Sequence, residues 1–96
     1  MEDLLTKDRT DVAIPKSYNV VMFNDDFTPM DFVIAILLKV FKKSETEALS
    51  LTMEVHNKGQ GIAGTYSRDI AETKVTEAMD YAKAHEHPFR LEVQRA

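Results

Sequence analysis

Tyr18-Asn19-Val20-Val21-Met22-Phe23-Asn24-Asp25-Asp26-Phe27-Thr28-Pro29-Met30-Asp31-Phe32-Val33 is the stretch whose reading decides the fold. Tyr18, Val20, Val21 and Phe23 are β-branched or aromatic and suit a pleated, partly buried strand. Thr28 followed by Pro29 predicts a helix start. The threonine oxygen can accept from orphan backbone N–H groups, and proline fits the first helical position, where its missing donor costs nothing. Asn24, Asp25 and Asp26 therefore sit at a corner whose geometry both flanks set, and polar groups held there form a small recognition site for a cation.

Outward from that corner, the strand is expected over about 17–23 and the helix over 29 to about 42. Phe32, Val33, Ile36, Leu37, Val40 and Phe41 recur at helical spacing. Ser44-Glu45-Thr46-Glu47 matches a capping box and predicts a second helix, running to about Asn57 with Ala48, Leu51, Thr52 and Val55 on one stripe. Gly59 to Gly64 reads as a glycine-rich strand or hairpin edge that continues through Tyr66. Ser67 is a suitable N-cap for a third helix over about 68–85, with Ala71, Val75, Ala78, Met79 and Ala82 facing inward. Phe89, Leu91 and Val93 alternate with Arg90 and Glu92 as a last strand. The order β-α-α-β-α-β predicts an α+β layer: a small three-stranded antiparallel sheet with three helices packed on one face.

Ninety-six residues make one domain. Residues 1–14 are polar and acidic and read as a flexible arm, with residues 15–96 as the folded core. That arm lacks the apolar stretch of a signal peptide and the acid-poor character of a transit peptide, and the longest apolar run, Phe32 to Leu38, is too short to span a membrane. Zero cysteines exclude a disulfide framework and thiolate metal sites, and fit a cytoplasmic setting. A net charge of −4 argues against nucleic acid, which requires a basic footprint. His85-Glu86-His87 lacks a third spaced ligand, so no metal site is expected. No serine elbow, phosphate loop or cysteine nucleophile is present, and neither an enzymatic activity nor a cofactor is expected.

Strand, Asn24-Asp25-Asp26, Thr28-Pro29-Met30 and Phe32-Val33 together resemble the signature of the ClpS family, bacterial N-degron adaptors of the Clp AAA+ protease. The resemblance continues through Glu54-Val55-His56, Gly59, Gly61-Ile62-Ala63-Gly64, Ala71-Glu72-Thr73-Lys74-Val75 and Glu86-His87-Pro88, covering nearly everything from Pro15 onward. It implies the same fold and an adaptor that takes the free α-amino group and bulky first side chain (Leu, Phe, Tyr or Trp) of a substrate. The bland alternative is a protein–protein interaction domain with no recognition of N-terminal residues.

A protein N-terminus offers an ammonium with three donors beside a first side chain, so recognising it takes converging acceptors and an apolar cavity. Asn24, Asp25, Asp26 and a neutral His56 supply acceptors. The resemblance places counterparts of Asn24, Asp25 and His56 around the α-amino group. The dipole of the helix starting near Pro29 disfavours a cation, and two carboxylates offset it. Taken alone, Asn24-Asp25-Asp26 would be an Asx turn feeding a helix, and His56 a histidine favoured at a helix C-terminus. By resemblance, Thr28, Pro29, Met30, Val33, Thr52, Val55 and Phe89 line the cavity. Thr52 stands where methionine is frequent and Phe89 where leucine is, so the preference among first residues is open. The resemblance also implies docking of Phe27, Asp69, Glu72, Thr73 and Lys74 on the N-terminal domain of a ClpA- or ClpC-type unfoldase, with the arm aiding handover and the adaptor acting as a monomer. One buried side chain (roughly 1.5–3 kcal/mol) and two or three charge-assisted hydrogen bonds (about 1.5–3 kcal/mol each), less association costs, give affinity on the order of micromolar.

Overall fold

The computed structural model describes residues 16–96, so the arm expected over 1–14 and the entry at Pro15 lie outside the described residues. Six elements follow in the expected order: β1 (Tyr18–Phe23), α1 (Met30–Lys39), α2 (Glu45–Lys58), β2 (Gln60–Tyr66), α3 (Arg68–Ala84) and β3 (Arg90–Arg95). The strands form one antiparallel sheet in the order β2-β1-β3, and the three helices cover one face of it. Period-two alternation puts Val20 and Met22 of the central strand, fully buried, into one core with Ile36 and Leu37 of α1, Ala48 and Val55 of α2, Ala71, Ala78 and Ala82 of α3, and Leu91 of β3.

Glycine lets α2 approach the sheet. Gly61 pairs with Met22, and a Cβ there would lie 2.9 Å from Val55 Cγ2. The β1–β2 register shifts between Val20 and Val21, where the pairing passes over Ala63; this extra residue is itself fully buried.

The helix ends explain where the boundaries differ from expectation. At α2 the capping box forms in full: Ser44 Oγ accepts from the Glu47 N–H at 3.2 Å, and Glu47 Oε1 accepts from the Ser44 N–H at 3.0 Å. At α1, Pro29 is the N-cap rather than the first helical residue, and no side chain caps the helix; the Pro29 carbonyl accepts from Phe32 and Val33 N–H instead. Thr28 is thus not a capping residue. α1 also ends at Lys39, short of Lys42. The apolar periodicity runs on through Phe41, but Lys42 adopts a left-handed φ of 56°, the Lys43 N–H turns back to the Leu37 carbonyl, and Lys74 Nζ caps the Val40 carbonyl at 2.7 Å. α3 stops at Ala84 in a Schellman arrangement, with His87 N–H on the Ala82 carbonyl, Glu86 N–H on the Lys83 carbonyl and Glu86 left-handed at φ 59°. Met79, expected to face inward, is 38% exposed. β3 starts one residue later than expected and reaches Arg95, opposite Tyr18.

Candidate functional site

Three local devices converge where β1 ends. Asp25 folds the loop on itself: its Oδ1 accepts from the Phe27 and Thr28 N–H groups at 2.8 and 2.7 Å, and its Oδ2 from Thr28 Oγ1 at 2.9 Å. This is an Asx-type turn closed by a side chain, and it sets the angle at which the chain enters α1. α2 ends at Gly59, whose left-handed φ of 90° suits glycine. The Gly59 carbonyl then accepts the Asn24 N–H at 2.9 Å. That single bond ties the end of β1 to the tail of α2, one turn beyond His56.

The result is a pocket comprising about 280 Å³ of non-atom space, its open mouth included. Its rim carries Asn24, Asp25, Thr28, Met30 and His56, all exposed or half-buried. Its floor is Val33, Thr52, Val55 and Phe89, each less than a tenth exposed. The rim is therefore polar and rich in acceptors while the floor is almost wholly apolar. Thr52 is the exception, and its hydroxyl proton goes to the Ala48 carbonyl at 2.7 Å. Such a site can hold a cationic head at its lip and an uncharged side chain below it. Met30, 39% exposed and unbranched, can swing to admit a large group.

Of the residues expected at the site, Asn24, Asp25, Thr28, Met30, Val33, Thr52, Val55, His56 and Phe89 come together around this one hollow. Asp26 and Pro29 are exposed on the neighbouring loop and are not part of its lining. Phe23 borders the pocket as well, though the sequence reading gave it only a strand role. Its place directly before Asn24 was the available signal. Across the β1–β3 pairing the Arg90 guanidinium carbon lies 4.1 Å from the centroid of the Phe23 ring.

The residues expected to contact an unfoldase are placed as follows. Phe27 is 80% exposed at the tip of the loop. Asp69, Glu72 and Thr73 share the solvent side of the first turns of α3 and border a shallow hollow. Thr73 Oγ1 donates to the Asp69 carbonyl at 2.9 Å, and Glu72 pairs with Arg68 at 3.2 Å. Lys74 is only half-exposed, its ammonium held on the Val40 carbonyl and 6.0 Å from the centroid of the Tyr66 ring. Among the described residues, no group of three or more His, Cys, Asp or Glu is placed to hold a metal, and no helix is long and apolar enough to cross a membrane.

The fold and this corner match known proteins. Residues 13–92 fit the family model described as ATP-dependent Clp protease adaptor protein ClpS. The chain is 52% identical over 87 residues to the ATP-dependent Clp protease adapter protein ClpS of Vibrio atlanticus, covering 91% of this chain and 82% of that one. It is 45% identical over 86 residues to the protein of the same name from Deinococcus radiodurans, covering 90% and 76%. A solved structure of Agrobacterium tumefaciens ClpS2 bound to L-phenylalaninamide superposes with a TM-score of 0.83 at 37% identity, covering 86% of this chain and all of that one. These relatives are named as adaptors of a protease, not as proteases. A β-α-α-β-α-β layer, a family model spanning most of the chain and relatives this similar lead to one conclusion: the chain belongs to the ClpS family and is an adaptor of the ATP-dependent Clp protease.

Proposed function

We propose that the pocket at the end of β1 binds the free α-amino group and bulky first side chain (Leu, Phe, Tyr or Trp) of N-degron proteins. The bound substrate is then delivered to a ClpA- or ClpC-type unfoldase for proteolysis by ClpP. The observation that carries this reading is the convergence of Asn24, Asp25 and His56 on the rim above a floor of Val33, Val55 and Phe89. The ammonium donates to the Asn24 side-chain oxygen, to the remaining lone pair of Asp25 Oδ2 and to a neutral His56 ring nitrogen. Asp26 adds its charge from the neighbouring loop, and the first side chain leaves water for the floor. The Agrobacterium relative's ligand, L-phenylalaninamide, joins a free amine to an aromatic side chain, the two features this pocket would read.

Docking on the N-terminal domain of the unfoldase falls to Phe27 and to the α3 surface of Asp69, Glu72 and Thr73. Lys74 shapes that surface by holding α3 against the end of α1. The adaptor acts as a monomer in the cytoplasm, and residues 1–14 assist handover.

Fluorescence anisotropy with peptides differing only in their first residue tests the reading. Micromolar binding is expected for Leu, Phe, Tyr or Trp. Acetylating the amine removes the charge, an alanine first residue removes the apolar burial, and a β-branched one meets the rim at Met30; each should bind at least tenfold more weakly. Equal binding of free and acetylated peptides, or no binding of any, would overturn it.

A further inference from the structure

We propose that Thr52 makes the pocket selective for a first side chain with a hydrogen-bond donor at its far end, so that tyrosine is preferred to phenylalanine. This rests on the amine-and-side-chain reading above and names the member of that substrate class the pocket fits best.

The argument begins with depth. Asn24, Met30 and His56 at the rim are exposed, whereas Val33, Thr52, Val55 and Phe89 are 3–7% exposed and form the floor. A ligand held by its amine at the rim therefore brings the tip of its side chain to the floor. Thr52 Oγ1 is the sole polar side-chain atom the floor residues carry. A hydroxyl has one donor and two acceptor lone pairs. The donor is already engaged, since Thr52 Oγ1 donates to the Ala48 carbonyl at 2.7 Å within α2. Toward a ligand, Thr52 can only accept, and its complement is an uncharged donor on an otherwise apolar side chain. The phenol of tyrosine is such a group. Leucine and phenylalanine offer only C–H, and lysine would bring a charge to an apolar floor at prohibitive cost.

The discrimination has a bounded size. Because Thr52 is already hydrogen-bonded to Ala48, a phenylalanine ligand leaves no orphan donor behind, so phenylalanine is tolerated rather than rejected. A net neutral hydrogen bond then favours tyrosine by about 2- to 10-fold in affinity. Phe89 adds an aromatic ring to the floor.

Anisotropy titrations of the full chain with peptides identical except for a tyrosine, phenylalanine or leucine first residue test this, on wild type, Thr52→Val and Thr52→Ser. Thr52→Val keeps the β-branched shape and removes the acceptor; Thr52→Ser keeps the acceptor. The expected result is a tyrosine-to-phenylalanine affinity ratio of about 2–10 in wild type, near one in Thr52→Val and restored in Thr52→Ser. A wild-type ratio of one or below overturns the proposal, as does a ratio that survives Thr52→Val. The wild-type comparison decides even where a variant fails to fold. Absence of binding for all three peptides would instead count against the amine-recognition reading itself, and that outcome is distinguishable from a lost ratio.

Discussion

Asp25 accepts three hydrogen bonds from its own loop, and this limits what it can offer a guest. In the sequence it read as a ligand for the amine; the structure gives its carboxylate a local task as well, because Asp and Asn satisfy neighbouring N–H groups wherever a turn permits. Asp25→Ala should therefore cost both stability, by about 1–3 kcal/mol in thermal unfolding, and peptide affinity. Asn24→Ala and His56→Ala should behave differently, each weakening peptide binding by roughly 10-fold or more with little change in melting temperature. Paired anisotropy and melting curves separate the two classes. Gly59 sits between them: an alanine there meets no side-chain obstruction but must adopt φ 90°, so Gly59→Ala should cost about 1–2 kcal/mol. It should also weaken peptide binding, since its carbonyl holds Asn24. Asp26 and Pro29 could not be sorted from Asp25 and Thr28 by sequence, because only the fold of the loop decides which neighbours turn inward.

At the scale of elements, local chemistry was legible and tertiary interference was not. The Ser44–Glu47 box needed only four consecutive residues and formed as read. The end of α1 did not follow its apolar pattern: Lys42 turns left-handed, and the Val40 carbonyl is capped by Lys74, a residue 34 positions further along. Ser44→Ala should destabilise the chain by about 1 kcal/mol without altering peptide affinity, as calorimetry and anisotropy would show together. The Ser44 N–H and hydroxyl hold the Glu47 carboxyl below its usual 4.5. A carboxyl lowered by folding stabilises above its unfolded value and loses that contribution as the pH falls through the folded value. Glu47→Gln should thus melt below wild type at neutral pH, and the gap should narrow as the solution is acidified below 4.5. At α3, Glu86 occupies a left-handed site that glycine fills without strain, so Glu86→Gly should leave stability unchanged or raise it by up to about 1 kcal/mol.

For the whole molecule, the core was readable because its periodicities are strong: Val20 and Met22 at period two, Ile36 and Leu37 at helical spacing, all fully buried. Leu37→Ala should cost about 2–5 kcal/mol, a large part of the stability of a domain this size, and should lower peptide binding only by unfolding the chain. The floor of the pocket was harder to read than the core because the two share residues: Val33, Val55 and Phe89 belong to both. No pattern in the sequence marks where close packing gives way to a hollow.

The sheet order places β1, which comes first, between β2 and β3, which come later, with Tyr18 opposite Tyr66 on one side and Arg95 on the other. During synthesis the middle strand thus emerges from the ribosome long before either neighbour exists, and it must wait with Val20 and Met22 uncovered. Pairing across so much intervening chain closes slowly, because the entropy of bringing distant segments together is lost before their contacts form. A chain cut before β3 would leave one edge of the middle strand without its ladder and take Leu91 away from Val20 and Met22.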